Sequence, residues 1–303
     1  MDAELARVLE QVPELAGTGV SAAPLEGGLT NHNFRVSTAD GDYVVRISVR
    51  EAGELGIDRD NEHHNSQLAA EVGVGAPVIA RVRDPEALAV GFVEGITMSP
   101  ADFAESARRV SALAEALRRL HGAKPFARDF NMVDVQARYL QIVNDNGSPL
   151  PGDYARYEDR ARTVGELLTE TRERTAPCHN DLMPGNFIES DGAGSHLWVV
   201  DYEYSGNNDP MYDLGDAINE LELTPEQAEQ LVTEYHGESR PRELARARLW
   251  SLMSKYGWCL WGSIRIGATQ DPEIIEWARA LWERAVWEFE SPEFEDLLAQ
   301  AAG

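Results

Sequence analysis

The run His179-Asn180-Asp181-Leu182-Met183-Pro184-Gly185-Asn186 holds the residues best suited to chemistry, and Asp201 follows Asn186 by fifteen positions, after the apolar stretch Leu197 to Val200. Transfer of a phosphoryl group asks little covalent help of a protein. It needs a carboxylate that orients the attacking hydroxyl and oxygen ligands that hold magnesium against phosphates. An aspartate five residues before an asparagine in a tight loop, then an aspartate after a short hairpin, supplies that set. Asp181 is the candidate base or orienter, and Asn186 and Asp201 are the candidate Mg2+ ligands. Either loop residue alone reads equally well as a turn cap, the usual work of Asp and Asn in loops; the combination and its strand context point to chemistry. A G-x-S-x-G elbow, which a serine hydrolase would need, is absent from the sequence.

These residues must be held by a scaffold that the periodicities outline. A short helix is expected to about residue 18, then strands from Asn33 to Ser37 and Tyr43 to Val49 joined by Ala39-Asp40-Gly41-Asp42. A glycine-containing turn, Glu26 to Asn33, precedes the first of them. Asp58 to Val72 reads as a helix with Asp58 as N-cap, and strands follow at Pro77 to Arg83 and Ala87 to Phe92. Beyond a break near Gly91 to Ile96 the texture becomes helical: Ala101 to His121 and Tyr154 to Thr171. The loop Ala176 to Asn186 comes next, then strands Phe187 to Glu189 and Leu197 to Asp201, and helix from Asp213 onward. The simplest parse is α+β: a small sheet-rich lobe over residues 1–95 and a larger helical lobe over 96–303, joined near Gly91 to Gly95.

Bulk composition narrows the class. The 303 residues are 43% hydrophobic and 26% charged, a globular profile, and no apolar run nears the length of a membrane helix. The acidic, amphipathic start MDAELARVLEQVPEL is not expected to be a secretory leader. Cys178 and Cys259 are isolated, which fits free thiols in a reducing cytoplasm. A net charge of -25 disfavours nucleic acid and anionic lipid and tolerates a cationic substrate, though it equally serves solubility. Lysine occurs only at Lys124 and Lys255.

The loop HNDLMPGNFI closely resembles the H-x-D-x-x-x-x-N loop shared by protein kinases and by aminoglycoside and choline phosphotransferases. The following VVDYEYSGNNDPMYDLGDAINE resembles the choline/ethanolamine kinase signature. That resemblance, strongest over 176–220, implies a protein-kinase-like two-lobe fold, ATP and Mg2+ as cofactors, and Asp213 as a brace of the catalytic loop through backbone amides. Gly27-Gly28-Leu29-Thr30-Asn31-His32-Asn33-Phe34 is similar to the nucleotide-covering turn of bacterial choline kinases, which implies nucleotide-binding roles for Gly27, Gly28, Thr30 and Asn31. Neither lysine lies on a plausible N-terminal strand, so Arg46 is the candidate cation for the phosphates, an arginine that choline kinase-like proteins often carry there. Glu62 is the carboxylate best placed to pair with it. His63 and His64 read as solvated helix residues, and His179 as a packing residue of the loop.

Trp258 and Trp261 stand three apart, on one helical face, with Trp277 on the next helical segment. Tryptophan at that spacing is usually core, yet aromatic faces also bind quaternary ammonium. W-x-x-W here resembles the ammonium pocket of choline kinases; the same resemblance puts Glu220 near the ammonium, with Asp216 adding field and Tyr204 as a further wall. Pro225 falls where a family tyrosine is expected. The resulting expectation is an ATP-dependent phosphotransferase of a small amino alcohol, choline ahead of ethanolamine, with no nucleic-acid or membrane partner and either monomer or homodimer. An enzyme of the same fold acting on an aminoglycoside or thiamine, and a catalytically silent binding module, are the rivals.

Overall fold

The computed structural model describes residues 2–25, 31–49, 55–190 and 196–303. Its N-terminal part is a five-stranded antiparallel sheet in the order β1-β2-β3-β5-β4, built from β1 (Ser21–Leu25), β2 (Asn31–Ser37), β3 (Asp42–Ser48), β4 (Val78–Arg83) and β5 (Glu86–Gly91). Val36, Val45, Ile47, Val82, Ala87 and Ala89 of the sheet share a core with Leu5, Val8 and Leu9 of α1 (Ala3–Gln11). Helix α2 (Arg59–Glu71) starts where Asp58 accepts the N–H groups of Asp60 and Asn61, the N-cap that satisfies orphan donors of a first turn.

Strand β1 escapes the sequence reading, which began the sheet at Asn33. Four of its five residues are exposed and it carries Pro24, so the alternation of a half-buried strand is missing; at a sheet edge such residues are tolerated. The helix expected over Ala101 to His121 is two, α3 (Pro100–Ala104) and α4 (Ala107–His121), because Ser106 leaves helical geometry and caps the second by accepting Arg109 N. Helix α5 (Met132–Asn146) was not foreseen. Asn131 caps its start and Gly147, at φ 63°, closes its end in the left-handed conformation.

Below the sheet, β6 (Ile96–Thr97) pairs with β8 (Phe187–Glu189), which pairs with β9 (Leu197–Val199). Only hydrogen fits at Gly95, where a Cβ would press on the carbonyl of Glu189. The remainder is helical: α6 (Glu158–Glu170), then the pair β7 (Ala176–Cys178) and β10 (Gly206–Asn208), then α7 (Pro210–Glu220), α8 (Pro225–His236), α9 (Pro241–Thr269), α10 (Pro272–Phe289) and α11 (Phe294–Ala302). The 29-residue α9 is the axis of this part and packs against α5, α7, α10 and α11. Gly215 lets α7 meet it: a Cβ there would lie 2.7 Å from Ser251 N and press on Ala247 O.

The two lysines live in opposite settings. Lys124 is exposed and pairs with Glu71 at 3.0 Å, whereas Lys255 is buried on α9 between Ser251 Oγ (2.6 Å) and Glu288 (3.0 Å). Both cysteines are buried free thiols. His64 is exposed as expected, but His63 is half-buried, and burial followed by the charge of Arg81 pushes its imidazole below the ordinary value. No helix among the described residues is long and apolar enough to cross a membrane.

Candidate active site

The loop of Asp181 is held from both sides. Asp213, fully buried in the first turn of α7, accepts the backbone N–H of His179 and of Asn180, each at 2.8 Å. One turn on, Asp216 accepts Leu182 N at 2.7 Å and Ser254 Oγ of α9 at 2.6 Å. Asn180 takes φ 67°, a strained conformation for a non-glycine residue, and its side-chain amide donates to the carbonyls of Cys178 and Tyr204. His179 is buried, with Nε2 on Val200 O at 2.9 Å. The chain bends at Asn180, and Asp181 with its carboxyl side chain lines a cavity. Burial first, then the charges of Asp216, Asp201, Glu203 and Glu220, push that carboxyl well above the usual range.

Asn186 donates Nδ2 to Asp181 O at 2.8 Å, which leaves its Oδ1 as an acceptor, and its carbonyl accepts Val200 N. Strand β9 ends at Val199, two residues short of the expected Asp201, and this contact sets Asp201 in the following loop beside Asn186; it is half-buried and has φ 73°. Arg46 of β3 reaches down to Asp201 in a close ion pair, and also to Glu62 (3.4 Å) and Glu203 (3.7 Å). Burial works against its charge, but Asp201, Glu62 and Glu203 outweigh burial and hold the guanidinium protonated above its ordinary value. Arg59 closes the group through Nη1, on Glu62 at 2.6 Å and Glu203 at 3.0 Å. Glu62, Asp201 and Glu203 each present an oxygen within 4.8 Å of the others, a geometry able to hold a metal ion. Burial and the nearby Asp201 raise Glu203 to about 7.

A second wall comes from α9 and α10. Trp258 and Trp261 are buried on one face of α9, and Trp277 of α10 meets Trp261 edge-on at 5.6 Å. Tyr204 stands edge-on to Trp258 at 5.0 Å and accepts Trp261 Nε1 at 3.0 Å. Glu220, at the end of α7, is buried, and burial raises its carboxyl to about 7 against the opposing pull of Arg284 and Lys255. Pro225, at the position where the resemblance implies a tyrosine, is the first residue of α8.

A single cavity of about 780 Å³ joins these parts: Arg46, Asp181, Asn186 and Asp201 line it together with Tyr204, Glu220, Trp258, Trp261 and Trp277. Its lining does not include Glu62, which backs Arg46, or Asn31, whose Nδ2 donates to Glu203 at 3.1 Å. Gly27, Gly28 and Thr30 lie outside the described residues. Sequence reasoning missed Arg59 and Glu203, although Arg59 stands three before Glu62 and Glu203 two after Asp201. It also missed the apolar slot of Leu25, Val44, Ala76, Leu88, Ile188 and Val200, and the acidic pair Asp271 and Glu273 beside Trp277.

Residues 21–250 match the model of the phosphotransferase enzyme family. The chain belongs to that family. A choline/ethanolamine kinase family protein from Mesorhizobium loti is similar to this phosphotransferase along its whole length, with 31% identity, 100% of this chain and 99% of that one covered, and a TM-score of 0.86. Protein LicA of Haemophilus influenzae is 28% identical over 214 residues, 69% of this chain and 61% of LicA. Ethanolamine kinase 2 of Rattus norvegicus is 27% identical over 251 residues, 74% of this chain and 64% of the relative. The phosphotransferase thus spans under two thirds of either curated relative. The expected α+β, protein-kinase-like arrangement, sheet before helices, is the family's fold.

Proposed function

We propose that this phosphotransferase moves the terminal phosphoryl group of ATP to the hydroxyl of a small cationic amino alcohol, choline ahead of ethanolamine. One observation carries the reading: the carboxyl of Asp181 opens into the same cavity as the carboxylate, amide and guanidinium of Asp201, Asn186 and Arg46 and the aromatic wall of Trp258, Trp261 and Trp277. Relatives named LicA and ethanolamine kinase 2 support the substrate class. The apolar slot suits a nucleoside base, and Arg46 suits its phosphates. Residues 1–95 would then hold nucleotide and 96–303 the alcohol, with the junction at Gly91 to Gly95.

The donors fit Mg2+: Asn186 keeps Oδ1 as an acceptor, and Asp201 offers a carboxylate beside Arg46. Bound there, the ion would neutralise phosphate charge. Asp181 accepts the hydrogen of the alcohol's hydroxyl and aims its oxygen at phosphorus. As the new O–P bond forms, the bond to the bridging oxygen breaks, ADP departs, and the proton passes to Asp181 Oδ. The ammonium rests on the tryptophan faces, where each desolvated face contributes about 1–2 kcal/mol, with Glu220 as counter-charge. ATP supply and the buried thiols suit a cytoplasmic setting.

The test is ADP release with choline, ethanolamine, thiamine and an aminoglycoside, each with Mg2+ and ATP. Highest kcat/KM on choline is expected. Turnover confined to thiamine or the aminoglycoside transfers the reading to that alcohol, and no turnover on any of them favours a silent binding module.

A further inference from the structure

The proposed transfer depends on Asp213 holding two amides beside Asp181, and Asp213 is itself held by a chain of side chains that leads away from the cavity. His121, at the end of α4, contacts Asp213 Oδ2 through Nε2 at 3.0 Å. Its Nδ1 lies 2.8 Å from the hydroxyl of Tyr235 on α8, and Arg174, in the segment before β7, donates Nη2 to that same hydroxyl at 3.0 Å. His121 and Tyr235 are buried and Arg174 is exposed, so the chain runs from the surface inward.

Its direction follows from donor counting. A carboxylate only accepts, so the imidazole carries a hydrogen on Nε2 and donates it to Asp213; a guanidinium only donates, so the Tyr235 oxygen accepts from Arg174 and is free to give its one hydrogen to His121 Nδ1. Burial, ahead of the opposing charge of Arg174, raises the Tyr235 phenol above its ordinary value, so that hydrogen stays in place. Asp213 Oδ2 accepts both His121 and His179 N, while Oδ1 accepts Asn180 N, the amide of the strained residue before Asp181.

We infer that Arg174, Tyr235 and His121 are positioning residues for the transfer: by holding the imidazole with its Nε2 hydrogen on Asp213 they orient that carboxylate, and through it the backbone that aims Asp181. The inference rests on the reading of Asp181 given above. His121, Cys178 and Asp213 also stand close enough to suggest a buried metal site. Their donors are committed, however: both imidazole nitrogens and both carboxylate oxygens are engaged, and burial holds the Cys178 thiol well above its ordinary value.

Kinetics and melting of Tyr235→Phe, His121→Leu, His121→Gln and Arg174→Met test this, with Asp181→Asn run alongside. Tyr235→Phe and His121→Leu should lower kcat about five- to fiftyfold while both KM values stay within about twofold. Glutamine can donate Nε2–H to Asp213, so His121→Gln should regain most of the loss seen with leucine at a similar melting temperature. Arg174→Met should have the smallest effect. Amide exchange at residues 179 and 180 should quicken in the leucine and phenylalanine variants and return toward wild type with glutamine. Equal kcat and equal exchange for the glutamine and leucine variants, or unchanged kcat and exchange in Tyr235→Phe, overturns the inference. Full turnover by Asp181→Asn would instead sink the assignment of Asp181, leaving the exchange comparison to decide the chain.

Discussion

Asp181 combines a braced backbone with a carboxyl that burial and four neighbouring acids push upward. Asp181→Asn should therefore lose about 10²–10⁴ in kcat while ATP affinity, measured by calorimetry, changes little. Glu220 makes a pH-dependent prediction. Its carboxyl rises from 4.5 to about 7, so the stabilising protonated form is fully present below about pH 4.5 and is lost as pH climbs through about 7. Glu220→Gln should accordingly gain on the wild type above pH 7, on the order of 3 kcal/mol by denaturant titration, with the gain vanishing near pH 4.5. The cation needs the charged form, so the wild-type KM for choline should rise as pH falls below about 7, and that rise should flatten in the variant. Asp181 was legible because its spacing to Asn186 and Asp201 is a chemical demand, and Arg46 because lysine is so scarce. Glu203 and Arg59 were not: each becomes meaningful only once β3, α2 and the Asp201 loop converge.

Among the elements, α9 supplies Trp258 and Trp261 to the cavity and so would set the wall of the proposed alcohol site. Replacing Trp258 or Trp261 with leucine keeps apolar bulk but removes the ring face, so choline KM should rise several-fold to about a hundredfold with ATP KM near wild type. Ethanolamine should suffer less, since a primary ammonium can lean on hydrogen bonds to Glu220. Lowered melting with an unaltered choline KM would assign both rings to the core alone. Gly215→Ala probes the α7–α9 contact from the other side. The added methyl meets backbone rather than a yielding side-chain tip, and a loss of about 1–3 kcal/mol in stability is expected. Strand β3 could be read from the alternation of Tyr43, Val45 and Ile47, and α2, whose buried face is largely polar, from its N-cap Asp58. Edge strand β1 has no buried face to betray it, whereas α5 carries Met132, Val135, Tyr139 and Val143 at helical spacing between its caps Asn131 and Gly147, a signal the sequence reading passed over.

For the whole molecule, charge is the dominant fact. With a net charge of -25, long-range attraction should help a cation reach the cavity, where Asp271 and Glu273 line the wall beside Trp277. The value of kcat/KM for choline should fall roughly two- to tenfold between about 20 mM and about 0.5 M salt. A flat response would reduce the charge to a solubility role. The sequence disclosed the sign of this field; that Asp271 and Glu273 join the acids lining the cavity is visible only when α10 is placed beside α9.

Helix α9 also acts as a calliper. Ser254 fastens it, through Asp216, to the amide of Leu182 next to Asp181, and Trp258 lies one turn further along, a rise of about 6 Å. In the proposed reaction one rigid rod therefore sets both jaws, the group that seizes the hydroxyl and the face that receives the ammonium. Their separation is not left to a loop that could stretch. Such an instrument gauges the distance between two ends of its workpiece and is indifferent to much of what lies between, so lengthening the alcohol's carbon spacer should be punished more severely than decorating the nitrogen.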